Sequence, residues 1–117
     1  MINQLFQREK LGNRLFGRRA KWQHDIYIAD RLSYNHVVFS SGDVVFRGEQ
    51  AAIVDACLGE ADVFVVNVSL LARVERLHTH CCKWQHSEIV ESWFAQDVQQ
   101  CSAWYIDSDD CVVVLRL

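Results

Sequence analysis

The stretch Asp62-Val63-Phe64-Val65-Val66-Asn67-Val68-Ser69-Leu70-Leu71 decides how the rest of the chain is read. Phe64, Val66, Val68 and Leu70 share one parity and are all apolar, whereas Val63, Val65, Asn67, Ser69 and Leu71 are mixed. That period of two specifies a strand with one fully buried face. The buried face requires a covering layer, and the flanking sequence offers two. Upstream, Glu49 to Leu58 brings Ala52, Ile53, Ala56 and Cys57 onto one side of a helical wheel, with Gly59 as a C-terminal cap. Downstream, Ser87 is an N-cap for a helix to about Cys101, with the stripe Ile89, Val90, Trp93, Phe94, Val98 and Cys101 opposed by Glu88, Glu91, Gln96, Gln99 and Gln100.

Further out, residues 44–68 read as strand, helix, strand, which makes the two strands parallel with a right-handed crossover if they are neighbours. His36 to Arg47 reads as a hairpin about Ser40-Ser41-Gly42-Asp43, where the glycine supplies positive φ. Ile26 and Ile28 alternate with Tyr27 and Ala29 as a first strand, with a short helix as the competing reading, and residues 69–80 fit strand and helix spacing equally. The chain ends in a second hairpin, Ala103 to Ile106, a polar turn Asp107 to Asp110, and Cys111 to Leu117. In residues 2–22, Ile2, Leu5, Phe6, Leu11, Leu15 and Phe16 cover half of a helical wheel, interrupted by Gly12 and Gly17. The fold class expected from these segments is α+β. A mixed, mostly antiparallel sheet of about five or six strands carries two helices on one face and a basic N-terminal helix.

The length of 117 residues, half of them hydrophobic, suits one domain: a basic arm, residues 1–22, and an α+β body, residues 25–117. Residues 1–24 carry Arg8, Lys10, Arg14, Arg18, Arg19 and Lys21 against Glu9 alone, a charge of +5. Residues 25–117 hold six basic and fourteen acidic side chains, a charge of −8. Such asymmetry suggests an arm with its own partner, or one that lies on the acidic body. No apolar run is long enough to span a bilayer and no targeting segment is visible, so the expected place is the cytoplasm, without membrane contact. Five cysteines, an odd number with three on apolar faces, agree with a reducing compartment and no disulfides.

Chemistry-bearing residues concentrate in His78-Thr79-His80-Cys81-Cys82-Lys83-Trp84-Gln85-His86. His78, His80, Cys81, Cys82 and His86 are of the types that hold zinc, but no second ligand pair accompanies them, and no metal or other cofactor is expected. Cys81 or Cys82 could also act as a nucleophile beside a histidine, with Asp107, Asp109 or Asp110 as the orienting carboxylate. Asp107 to Asp110 lacks the glycine and distal glutamate of a calcium loop. No nucleophile elbow, phosphate loop or paired-acid motif is present, which argues against an enzyme. The tetrapeptide Lys-Trp-Gln-His occurs at Lys21–His24 and at Lys83–His86, each time before a capping residue.

The functional expectation is a small interaction or regulatory module, non-enzymatic and homodimeric. Its candidate contact residues are Leu5, Phe6, Leu15, Phe16, Trp22, Trp84 and Trp104. A protein partner other than itself is compatible with the same surface. The alternatives are nucleic-acid binding through Arg8, Lys10, Arg14, Arg18, Arg19 and Lys21, which would be weak and not sequence-specific, and a metal site or small enzyme at His78–His86.

Overall fold

In the computed structural model, which describes residues 13–101, 103–108 and 110–116, extended backbone runs through almost every segment. The strands are β1 (Arg14–Gln23), β2 (Ile26–Tyr34), β3 (Val37–Ser40), β4 (Val44–Arg47), β5 (Gln50–Glu60), β6 (Val63–His78) and β7 (Cys81–Phe94). A 3-10 turn at Ala95–Asp97 leads to β8 (Gln99–Gln100), β9 (Ala103–Ile106) and β10 (Val112–Leu115). They form one sheet in the order β1-β2-β5-β6-β7-β10-β9, with β3 on β2, and β4 on β5 and β8. Every pairing is antiparallel, and the sheet curls into a half-barrel. The α+β expectation is therefore wrong: no α-helix is present among the described residues, and the polypeptide is an all-β fold.

The segment expected as a helix over Glu49–Leu58 is the central strand β5. Its alternation is hidden because both faces are buried. Ala52, Val54 and Cys57 enter one hydrophobic cluster, while Ala51 and Ile53 enter or border a second on the other side. A register shift between Val54 and Ala56 moves the apolar positions out of step, so i, i+1, i+4 spacing imitates a helix. Gly59 is not a cap. It lies in the strand, and a Cβ there would stand 3.1 Å from Leu15 Cδ1 and 3.1 Å from Phe64 Cδ1. The expected parallel crossover falls with the helix, since β4 and β5 form a hairpin about Gly48 (φ 60°).

Ser87 to Cys101 is likewise not helical. Glu88 takes φ 65° at a bulge, and between the pairs Ser69–Val90 and Leu71–His86 the ladder skips residues of β7. Trp93 is fully buried, but Ile89, Val90 and Phe94 of the supposed stripe are exposed. Residues 14–22 of the supposed N-terminal helix are strand β1, with Leu15 in the core. Gly17 sits at a bulge with φ 81°, where a Cβ would collide with the Asp30 carboxylate. The rest of that helix, including Ile2, Leu5, Phe6, Arg8, Lys10 and Leu11, lies outside the described residues.

Both strands expected in residues 36–47 exist, but they do not pair with each other. β3 pairs with β2 and β4 with β5, and the Ser41–Asp43 connection is laid into the sheet: Ser41 N–H donates to Asp30 O (2.8 Å), Gly42 N–H to Val54 O (2.8 Å), and Val54 N–H to Asp43 O (2.9 Å). The ambiguous residues 69–78 continue β6, and the C-terminal hairpin forms as read, β9 on β10.

Because β4, β5 and β6 are apolar on both faces, the sheet carries two cores. The first gathers Phe39, Val45, Val54, Val66, Val68 and Trp93; the second, Val44, Phe46, Leu71, Trp84, Val112 and Val114. Phe64, Val66, Val68 and Leu70, the face read from sequence, all belong to the first or pack against it.

Candidate functional site

The β6–β7 hairpin projects its distal half beyond the first core, and β10 and β9 extend the sheet beside it. One face of this extension meets β4 at the second core. At its rim, a cleft of about 120 Å³ is lined by Phe46, Glu49, Arg73, Arg76, Thr79, His80, Cys82, Trp84, Val114 and Arg116.

A bulge at Val74 builds its basic wall. Arg73 and Arg76 are three apart, so in a regular strand they would point to opposite faces. The ladder pairs Arg73 with Trp84, Glu75 with Lys83, and Arg76 with Cys82, leaving Val74 as an extra residue. Trp84 and Cys82 share a face, hence Arg73 and Arg76 share it too. Val74 and the similarly bulged Leu77 are turned out, 47% and 48% exposed.

Arg116 forms the opposite wall and is held in place. Its guanidinium lies 4.1 Å from the Phe46 ring centroid and donates to Gln99 Oε1 at 3.1 Å, while its backbone N–H donates to His80 O at 2.8 Å. Glu49 reaches it only at 3.8 Å and is 97% exposed, so its charge is mostly screened by solvent. Among the described residues, Arg73 and Arg76 have no ion-pair partner. Three of the six basic side chains of residues 25–117 therefore surround one cleft on an otherwise acidic body.

Trp84 adds a donor. Its ring packs edge-on against Phe46, with centroids 6.0 Å apart, and is 93% buried, yet its indole Nε1 has no acceptor. Leaving such a group unsatisfied costs about 1–3 kcal/mol. Orphaned donors are rare in folded proteins and call for a specific reason.

The residues singled out from sequence are dispersed. Cys81 and Cys82 are adjacent in a strand and so face opposite ways: Cys82 borders the second core and lines the cleft with His80, whereas Cys81 pairs with His78 on the other side. His86 is exposed farther down β7. No group of three or more His, Cys, Asp or Glu able to hold a metal ion occurs among the described residues. Asp107 pairs with Lys83 Nζ (3.2 Å) and its Oδ1 accepts from Cys111 N–H (3.1 Å), Asp110 turns at φ 59°, and Asp109 lies outside the described residues. All five thiols are free. Burial pushes Cys57 up to about 12 and also raises Cys101, which donates to Ala103 O at 3.2 Å.

Of the candidate contact residues, Leu15 and Trp84 are core residues, Phe16 is half-buried beneath Arg31 and Arg14, and Trp22 and Trp104 are 58% and 38% exposed. The two Lys-Trp-Gln-His copies serve different places, one ending β1 at the His24 turn and one inside β7. Arg14, Arg18, Arg19 and Lys21 line the β1 edge, where Arg18 bonds to Asp30 through its backbone N–H (2.9 Å) and its side chain (3.4 Å).

The sheet ends in unlike ways on its two sides. β1 carries Arg14, Arg18, Arg19 and Lys21, the charges that commonly discourage strand-to-strand association. β9 is Ala103-Trp104-Tyr105-Ile106, uncharged and exposed throughout, and no described strand pairs with its outer side. Asp107 N–H donates to Cys111 O, so the alternation of the ladder aims Tyr105 N–H at β10 and the N–H groups of Trp104 and Ile106 outward. No helix among the described residues is long and apolar enough to cross a membrane. No family model, curated protein or solved structure matches this chain.

Proposed function

We propose that this chain is a small, non-enzymatic β-sheet interaction module that associates with a second copy of itself along β9. The supporting observation is that four-residue apolar edge, open where the opposite edge is charged. An exposed apolar edge strand is a template for pairing, and an isologous contact is satisfied when two antiparallel copies of β9 meet about a two-fold axis. Backbone pairing sets the orientation. Trp104, Tyr105, Ile106 and Leu115, each between 37% and 60% exposed, supply apolar area towards the roughly 1,200 Å² that a stable interface needs. Five free thiols suit a reducing compartment such as the cytoplasm.

Light scattering on the full chain should give twice the 13.6 kDa chain mass. Ile106→Lys, at a position 60% exposed, should give a monomer that still unfolds cooperatively, its melting temperature lower only by what the dimer contact contributes. A wild-type monomer at high micromolar concentration overturns the proposal. So does a dimer that survives Ile106→Lys and Tyr105→Lys together but is lost when residues 1–12 are removed.

A further inference from the structure

We propose that the cleft between the β6–β7 hairpin and Arg116 is a binding site for a phosphate monoester. Arg73, Arg76 and Arg116 would hold the dianion, and Phe46 and Trp84 would form the wall against which its organic group lies. This stands apart from the dimer reading, because β9 contributes no residue to the cleft.

The charge selects the ligand class. Three guanidiniums face one solvent-screened carboxylate, Glu49, leaving an excess of about two positive charges that a dianion matches and a monocarboxylate does not. Guanidinium forks bind tetrahedral oxyanions bidentately. Arg116 is already oriented by Phe46 and Gln99, so little of its side-chain freedom remains to be lost on binding. Arg73 and Arg76 are exposed and can close from the other side. The Trp84 N–H can only donate and has no acceptor, and although its Nε1 is shielded from solvent, the ring that carries it lines the cleft, so its signal reports on what enters there. A volume of about 120 Å³ far exceeds the 10–15 Å³ that one water requires, leaving room for a phosphate and part of its substituent. The hollow lined by Arg14, Arg19, Asp25 and Glu60 is larger, but its charges balance and it shows no such preference.

The test is a titration of full-length 15N-labelled protein with phenyl phosphate at pH 7.5, following the four tryptophan indole N–H signals, with the Trp84 signal identified by its absence in Trp84→Phe. The Trp84 signal should move saturably, and inorganic phosphate should move it in the same direction with lower affinity. Benzoate should be at least about tenfold weaker, as should phenyl phosphate with Arg73→Gln or Arg76→Gln, both exposed substitutions that leave the fold intact. Ile106→Lys should bind as wild type. An unmoved Trp84 signal, benzoate binding as tightly as phenyl phosphate, or undiminished affinity in the Arg73→Gln/Arg76→Gln double variant would overturn the assignment. Inorganic phosphate binding as well as the ester would overturn the part given to Phe46 and Trp84.

Discussion

Trp93 separates the two ways of reading residues 87–101. As part of a helical stripe it would be one of several equivalent apolar residues. In the sheet the stripe is split: Trp93, with Val98 beyond the 3-10 turn, is buried in the first core while Ile89 and Val90 on the same strand as Trp93 are 55% and 70% exposed. Its polar end is also engaged. Trp93 Nε1–H donates to Glu91 Oε1 at 2.9 Å, that oxygen pairs with Arg47 at 3.2 Å, and the Arg47 guanidinium stacks 4.7 Å from the Trp93 ring centroid. Trp93→Ala should cost about 3–5 kcal/mol, enough to unfold a marginal domain. Trp93→Phe is the measurable variant. It removes a hydrogen bond to a charged acceptor and weakens the cation–π contact, together about 1.5 kcal/mol after allowance for the half-exposed Arg47–Glu91 pair. Ile89→Ala and Val90→Ala should each stay within about 0.5 kcal/mol. In urea unfolding followed by far-ultraviolet circular dichroism, with a slope of about 1.5 kcal/mol/M, Trp93→Phe should lower the midpoint by about 1 M and the other two by a third of that or less. A Val90→Ala loss as large as that of Trp93→Phe would refute the packing described.

Gly17→Ala should destabilise by about 2 kcal/mol, since an alanine at φ 81° is disfavoured and its Cβ meets the Asp30 carboxylate. Gly48→Ala, at φ 60° with open space around it, should cost about half as much, and thermal melts of the two variants measure the difference. Cys57 should resist Ellman's reagent in the folded protein at pH 8.5 and react once the chain is unfolded in urea, because burial holds its thiol protonated to about 12. The unfolded chain's thiol ionises near its ordinary value of 9.0, so above that pH the unfolded state binds fewer protons and stability falls as pH rises. A Cys57→Ser variant whose stability falls equally between pH 9 and 11 would show that Cys57 is not responsible.

What could be read from the chain depended on whether a segment has one buried face or two. The β6 core face, Phe64 to Leu70, is readable because its alternation is intact, and the β9–β10 hairpin because two β-rich runs flank the polar turn Asp107 to Asp110. β5 is not readable in this way. Lying between two cores, it needs small apolar residues on both sides, and Ala51, Ala52 and Ala56 carry helical propensity that the sheet overrides. Gly59, which punctuates a helix in sequence, sits within the sheet where a Cβ would press on the side chains of Leu15 and Phe64 at 3.1 Å.

The cleft was hidden by the same device that produced the false helices. Each bulge inserts one residue, and after two of them the apolar positions of a strand fall at spacings of three and four, as Leu70, Leu71, Val74 and Leu77 do. Read as helix, that spacing buries Val74 and Leu77 in an apolar stripe and leaves Arg73 and Arg76 as solvent-facing neighbours one turn apart. Read as a doubly bulged strand, it turns Val74 and Leu77 outward and brings Arg73 and Arg76 to one face, opposite an Arg116 some forty residues away in sequence. A bulge departs from the regular pairing that packs a sheet best. Successive bulges at Arg73/Glu75 and Arg76/His78 lie beside a buried indole N–H without an acceptor, a departure from the usual satisfaction of buried polar groups. Such departures are expected where a binding requirement competes with folding. Their coincidence at a cleft where Arg73, Arg76 and Arg116 converge is why function is sought there rather than among the histidines and cysteines of this hairpin.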